Sequence, residues 1–425
     1  TIEKDLARAE SIAIPITMLL LLLVFGTLVA SGLPAVIGAV AVLGSFFALW
    51  VTTQVTDVSI FAINLVTALG IGLGIDYALF IVTRFREQLG RGDSPHDAVI
   101  RSVATAGRTV VFSGITVAIA LSALLVFPQF FLRSFAYAGI ATVTLAVIAA
   151  VLVLPALLAV LGTKVDRFRI LRGATEVSDH GFWFRLSAYV MKRPWPVLIG
   201  GVALLLALGL PFFRVSFGQT DDRVLPKSAQ AAQAGQLLRD QFDARESDPL
   251  SVVAPDSSAA TTAVAAYAEQ LSKVDGVTRV DAVTGSYADG AQVAPAGPAS
   301  TRFVTTAGPG TWLSVVVDVE PYSSAGKAVV QDLRAVPSPL ATTYIGGDAA
   351  VFADSQDAMG SRLPWAIGII AVATFLLLFL FTGSVVLPVK ALVLNMLSLS
   401  ATFGAMVWIF QEGHLSQWLG DFTVT

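Results

Sequence analysis

The sequence predicts a polytopic α-helical membrane protein with one extracytoplasmic α+β domain. Three observations carry that reading. Hydrophobic residues make up 55% of the 425, and the mean hydropathy is +0.75. Charged residues are only 13%, against about 25% in an ordinary soluble domain. The charge is also unevenly spread: long uncharged stretches alternate with short basic segments, and one stretch of about 150 residues has soluble composition. Such a chain cannot hide its apolar surface by folding on itself in water. A net charge of −3 gives no reason to expect a nucleic-acid partner. The absence of cysteine excludes disulfides, thiol catalysis and cysteine-type zinc sites. His96, His180 and His414 lie too far apart in sequence to form a metal-ligand spacing, so neither metal nor cofactor is expected.

Residues 1–10 (TIEKDLARAE) are charged and unlike a signal peptide; they read as the end of a first extracytoplasmic region in a longer protein. A membrane-spanning helix needs about 20 mostly apolar residues. Stretches at about 11–30, 33–51, 58–82, 109–127 and 134–161 meet that length and form a five-helix block over 11–162. A cytoplasmic linker is expected over 163–193, a single span over 194–213, an extracytoplasmic domain over 214–361, two more spans within 362–411 (363–381 and 388–410), and an extracytoplasmic tail over 412–425. The predicted total is eight spans.

Orientation follows from lysine and arginine in the short loops. The loop after span three holds Arg84, Arg86, Arg91, Arg101 and Arg108, five basic residues against three acids. The segment after span five holds seven, Lys164, Arg167, Arg169, Arg172, Arg185, Lys192 and Arg193, again against three. Both are expected in the cytoplasm. The intervening crossings then put the 214–361 domain outside, where its 10 basic and 17 acidic residues give a net charge of −7. Its pattern is a strand at 248–255, a helix at 257–274, strands at 276–285 and 312–320, a helix at 323–336 and a last strand at 341–347. That β-α-β-β-α-β order is the ferredoxin-like unit. A further helix is expected at 227–242, and the Pro/Gly/Ala-rich 289–300 reads as a flexible hairpin loop. The domain has no histidine and no catalytic set.

Spans one and two resemble spans seven and eight. Phe25 and Leu33-Pro34 recur as Phe379 and Leu387-Pro388 at an offset of 354, with a short turn and a proline opening the second helix of each pair. The layout suggests two parallel halves, each built of one span, an outer domain and five spans.

Within the predicted spans one ionisable residue lies well away from both ends: Asp76, eight residues before Arg84. At 1.5 Å per residue it sits about 12 Å inside the basic rim, in a hydrocarbon core about 30 Å thick. An aspartate at mid-span costs about 2.5–3.5 kcal/mol to insert. Burial raises a carboxyl's pKa, which suits a proton carrier. The plainer reading is a structural aspartate bonded to a neighbouring helix. Gly70, Gly72 and Gly74 would let another helix approach closely, mainly as packing. Tyr77 could donate its hydroxyl across to a partner helix or simply be a buried aromatic. The glycines are not a dinucleotide fingerprint, since they lie mid-span and lack the third-glycine spacing. Gly72-Leu73-Gly74-Ile75-Asp76 has one residue too many for the motif of intramembrane aspartyl proteases, which also need a second carboxylate at depth. No catalytic residue is assigned and an enzyme is not expected.

The segments IDYALFIVTRFREQL (75–89), TAGRTVVFSG (105–114), FPQFFLRSFAY (127–137), RPWP (193–196) and GSVVLPVKA (383–391) together resemble the MmpL (mycobacterial membrane protein large) transporters of the RND superfamily, over nearly the whole chain. The resemblance implies a proton-driven exporter of lipids or glycolipids in the plasma membrane of an actinobacterium. It makes Asp76 and Tyr77 the proton-relay pair, and 214–361 the second of two lipid-shuttling porter domains. It also implies partner helices outside this chain, carrying a second Asp-Tyr pair, and leaves homo-oligomers open. Two other readings stand beside it. Five-helix blocks of this layout also resemble sterol-sensing domains, which bind lipid without pumping, and an intramembrane aspartyl protease is the third.

Overall fold

The computed structural model describes residues 2–168, 170, 181–216, 218, 222–225, 229–241, 246, 248–255, 261–305 and 308–415. The predicted tail 412–425 therefore lies mostly, and the linker 163–193 partly, outside the described residues. In chain order the first helices are α1 (Ile2–Phe25), α2 (Leu28–Thr53), α3 (Ala62–Gly90), α4 (Pro95–Ser102), α5 (Arg108–Ser122), α6 (Phe130–Ile148), α7 (Leu154–Leu161), α8 (Phe182–Lys192) and α9 (Pro194–Gly209). π-helical segments at Val103–Gly107 and Ala149–Val153 join α4 to α5 and α6 to α7, so each pair runs as one long helix. Then come α10 (Gln230–Gln241), β1 (Leu250–Ala254), α11 (Thr261–Leu271), β2 (Val277–Ala282), β3 (Gly285–Ala288), β4 (Ala291–Pro295), β5 (Thr311–Val317), α12 (Ser324–Ala335), β6 (Tyr344–Gly346), α13 (Asp348–Thr382) and α14 (Val386–Met406).

Among the described residues seven helices are long and apolar enough to cross a membrane, which makes this a polytopic helical membrane protein. They begin at Leu28, Ala62, Pro95, Phe130, Pro194, Asp348 and Val386. The segment predicted as span one lies within α1, whose residues Pro15–Phe25 form an apolar helix.

Two compact units divide the chain: residues 1–202 with 362–396, and residues 203–361 with 397–425. In the first, α2, α3 and α6 pack against one another, and α5 packs on α6. Ile37, Ala41, Ala78, Ile81, Phe85, Ala146 and Leu154 form its buried centre. Local chemistry sets the ends of these helices. Ser94 caps α4 by accepting from the Asp97 N–H, with Pro95 in the first turn. Gly26, at φ 69°, closes α1 by donating to the Leu22 carbonyl at 2.8 Å. Gly383, at φ 66°, does the same for α13 through Phe379, also at 2.8 Å. The two helix pairs that resemble each other in sequence thus share a left-handed glycine stop. They differ at the proline: α2 already begins at Leu28, so Pro34 lies inside the helix instead of opening it, whereas Pro388 falls in the first turn of α14.

The second unit holds a six-stranded antiparallel sheet in the order β4-β3-β2-β5-β1-β6. Its elements run β-α-β, then the β3–β4 hairpin, then β-α-β. Apolar faces of α11 and α12 pack on the central strands, with Leu250, Val252, Tyr267, Leu271, Leu313, Val315 and Leu333 in the core. Ala349, Ala350 and Ala353 of α13 complete that core. Arg334 clasps Asp354 with two hydrogen bonds of 2.6 and 2.9 Å, and the carboxylate holds the guanidinium above its ordinary pKa. The stretch 289–300 differs from the expected loop. Asp289 (φ 48°) and Gly290 (φ 76°) make a two-residue turn between β3 and β4, and a short 3-10 helix follows at Pro298–Phe303.

Candidate functional site

The site is built on α3, and its chemistry depends on which side of that helix each residue occupies. The helix has no proline along its 29 residues. Its 3.6-residue repeat sorts the side chains into two stripes. One stripe carries Gly70, Gly74, Tyr77, Ala78, Ile81 and Phe85, all buried. The other carries Gly72, Asp76, Phe80, Thr83 and Glu87, all exposed within this chain.

Glycine makes the packed stripe possible. A Cβ on Gly74 would lie 2.6 Å from the Cα of Gly38 in α2 and 2.9 Å from its nitrogen. A Cβ on Gly70 would lie 2.7 Å from a Val42 methyl and 3.4 Å from the Val42 backbone. Backbone thus meets backbone where α2 and α3 cross, the small-residue contact that lets membrane helices associate closely. Gly72 is different: nothing lies within 4 Å of where its Cβ would be.

Asp76 and Tyr77 are adjacent in sequence and therefore about 100° apart around the helix. Tyr77 is 6% exposed, turned into the packed side. Its hydroxyl is buried without a hydrogen bond of good geometry; the polar groups that act on it are Ser113 of α5 and Asp76. The aspartate makes no hydrogen bond or ion pair among the described residues and faces outward. This differs from the expectation of a carboxyl desolvated within its own block.

Below Asp76, towards the arginine-rich end, a cavity of about 410 Å³ is lined by Leu79, Phe80, Thr83, Arg84, Glu87, Thr105, Ala106 and Thr109. It adjoins the π-helical turn 103–107, a widened turn of the kind often found at functional sites. The arginines that give the topology signal also do structural work. Arg86 reaches Asp166 at 2.7 Å and donates to the Phe25 carbonyl at 2.9 Å, tying α3 to the end of α1. Glu87 bridges Arg84 at 2.6 Å and Arg91 at 2.5 Å. Among the described residues no cluster of histidine, aspartate and glutamate is placed to hold a metal ion.

Ser113 and the three threonines Thr83, Thr105 and Thr109 were not singled out from sequence. Their signal was present, since Thr105, Thr109 and Ser113 all belong to the TAGRTVVFSG segment.

Comparison with known proteins agrees with this architecture. A membrane protein of Streptomyces coelicolor, SCO6666, is 36% identical over 430 residues, covering 98% of this chain and 55% of that protein. The trehalose monomycolate exporter MmpL3 of Mycobacterium tuberculosis is 33% identical, over all of this chain and 47% of its own length. The mycolic acid-containing lipids exporter MmpL11 of Mycolicibacterium smegmatis is 30% identical, over 98% of this chain and 43% of its own. The chain thus spans about half the length of the curated relatives it matches. In fold it is similar to the hedgehog release protein Disp from the water bear Hypsibius dujardini, with a TM-score of 0.60 at 16% identity over 91% of this chain and 57% of that one. The profile of the MMPL family matches residues 1–197 and 223–423, and the chain belongs to that family.

Proposed function

We propose that this chain contributes the first proton-relay helix and one porter domain to a proton-driven exporter of lipids or glycolipids. The observation that carries the reading is Asp76: a carboxylate near mid-depth on α3, on the stripe its own block leaves uncovered. A charge at that depth is costly, so an ionisable residue there is a functional-site candidate by default. The named exporters among the relatives, MmpL3 for trehalose monomycolate and MmpL11 for mycolic acid-containing lipids, supply the substrate class.

In this reading Asp76 takes up a proton from one side of the membrane and releases it to the other, and Tyr77 and Ser113 position it. The threonine-lined cavity supplies polar groups between Asp76 and the cytoplasmic rim. The missing wall of the site is a helix of the same parent protein that carries a second Asp-Tyr pair. Residues 11–162 act as the moving helical block, with α1 counted as an eighth crossing, and 163–193 as its cytoplasmic linker. Residues 214–361 are read as a ferredoxin-like porter domain on the extracytoplasmic side, supported by its acidic balance and by the order of its strands. The plasma membrane is the proposed location.

The test is Asp76→Asn in the full-length parent. Lipid export should be lost while the protein still folds and inserts. Unchanged export would remove the relay; against a lipid-sensing, non-pumping role, the decisive result would be proton-dependent flux in reconstituted vesicles.

A further inference from the structure

The 214–361 domain is acidic, and its cations are nearly all paired. Among the described residues, every lysine and arginine of that domain but one meets a carboxylate at 3.5 Å or closer, from Arg214 on Glu412 to Arg334 on Asp354. The exception is Arg302. Its guanidinium lies over the Phe303 ring, 4.7 Å from the centroid, and makes no hydrogen bond or ion pair among the described residues. Phe303 is buried and packs on Trp312 at 4.8 Å, and the Trp312 indole N–H donates to the Arg302 carbonyl at 2.9 Å. An aromatic stack thus holds the arginine in place while its N–H fork stays open. Beside it lies a cavity of about 630 Å³, lined by Arg302, Trp312, Val253, Val304 and the turn at Gly308-Pro309-Gly310.

The sheet register extends this site. Val253 of β1 stands opposite Trp312 of β5 and opposite Tyr344 of β6. Residues opposite one another in antiparallel strands point to the same face. Leu250, Val252, Ala254 and Leu313 belong to the core, so Val253 and Trp312 take the other face. Val253 is 39% and Tyr344 62% exposed. An aromatic-valine-aromatic rung therefore crosses from β5 over β1 to β6, roughly 10 Å at the usual strand spacing, with Arg302 at its Trp312 end. A guanidinium fork suits a carboxylate or phosphate, which it can bind with two parallel hydrogen bonds. Exposed aromatic rings suit the C–H faces of sugar rings, the apolar sides of a polar molecule. At Gly308 nothing lies within 4 Å of where a Cβ would be, so a ligand can reach the backbone there. One open cation in a domain of net charge −7 suits a ligand with sparse charge on a neutral body, and disfavours a run of carboxylates such as an acidic peptide.

We propose that this face binds an acidic glycan of the cell envelope, its carboxylate or phosphate on Arg302 and at least one further sugar ring along Trp312, Val253 and Tyr344. The rung is longer than a single sugar ring, which favours a glycan chain over a lone head group. On the topology proposed above the face is extracytoplasmic, where such chains lie. The site does not involve Asp76 and stands or falls separately from proton coupling.

The experiment titrates the full-length protein in lipid nanodiscs at low salt with cellobiouronic acid and with cellobiose, which differ by one carboxylate, and reads binding by saturation-transfer NMR. Wild type should bind the acid about fivefold more tightly than the neutral sugar. Arg302→Gln should bind both alike, at the level of cellobiose. Trp312→Leu should weaken both by about fivefold and keep the preference for the acid. Glucuronic acid alone should bind about fivefold more weakly than the disaccharide acid. No preference in wild type, or a preference that survives Arg302→Gln, would overturn the proposal. Equal binding of glucuronic acid would also overturn it, because a single head group would then suffice. So would equal binding of N-acetylglutamate amide, since that assigns the cavity to an acidic peptide. If Trp312→Leu fails to fold, Tyr344→Leu, on the edge strand and largely exposed, tests the same rung.

Discussion

The two sides of α3 are made from the same helix and the same kinds of residue, yet they do opposite things. On the packed side Gly70 and Gly74 let α2 come within contact of the backbone, and Tyr77, Ile81 and Phe85 fill the space around that crossing. On the open side nothing lies within 4 Å of where a Cβ on Gly72 would be, and Asp76 has no hydrogen-bond or ion-pair partner among the described residues. A glycine in a membrane helix is therefore not one kind of feature. At 74 it is a backbone contact that a side chain would destroy, and at 70 one that a side chain would crowd; at 72 it is merely a small residue beside Asp76. The difference marks which side of α3 the described helices cover and which they leave open.

Substitutions can break or sharpen that contrast. The largest effect on folding is expected at the crossing. Gly74→Leu drives a side chain into Gly38 and should cost about 3 kcal/mol or more, the upper range for overpacking, read as loss of the folded fraction in a thermal melt of the full-length protein. If the helices tolerate it, the α2–α3 contact is wrong. Tyr77→Phe should separate structure from chemistry. Its hydroxyl makes no good hydrogen bond, so stability should change by less than about 1 kcal/mol. Transport should fall about a hundredfold if the hydroxyl helps move the proton. A loss of stability with transport intact would make Tyr77 a packing residue only. In the sheet unit, Arg334→Gln removes a half-exposed clasp on Asp354 and should cost about 0.5–1 kcal/mol, visible as a small shift in denaturation that moderate salt partly reproduces. Smallest of all is Gly72→Ala, which meets open space and should change stability by no more than about 0.5–1 kcal/mol, towards greater stability.

Much of this was legible in the sequence, and the gaps have physical causes. Membrane spans show themselves because the bilayer demands about 20 apolar residues in a row, and Asp76 stands out because charge is otherwise kept away from the middle of them. The exposed orientation of Asp76 was not legible. Hydropathy gives depth but not azimuth, and the azimuth of α3 is set by where α2 and α6 pack. For the same reason the three glycines read alike in sequence and differ only once Gly38 is seen against Gly74. The β3–β4 hairpin is a different case: the stretch reads as a hairpin loop, but its Pro/Gly/Ala composition hid how tight the turn is, two residues at Asp289-Gly290 with paired strand on both sides. Pro34 misled in the opposite way, since a proline can sit inside a membrane helix when its neighbours satisfy the freed carbonyl. Arg86 counts in the sequence only as one more positive charge, whereas in the fold it clamps α3 to Asp166 and Phe25.

The central claim is that Asp76 couples proton movement to lipid movement. The most direct test is lipid flux by the full-length protein reconstituted in vesicles, measured with and without an imposed pH gradient, for wild type and Asp76→Asn. Wild type should transport only with the gradient, and Asp76→Asn should show no gradient-dependent flux at the same protein density. Gradient-driven transport by Asp76→Asn at the wild-type rate would contradict the account.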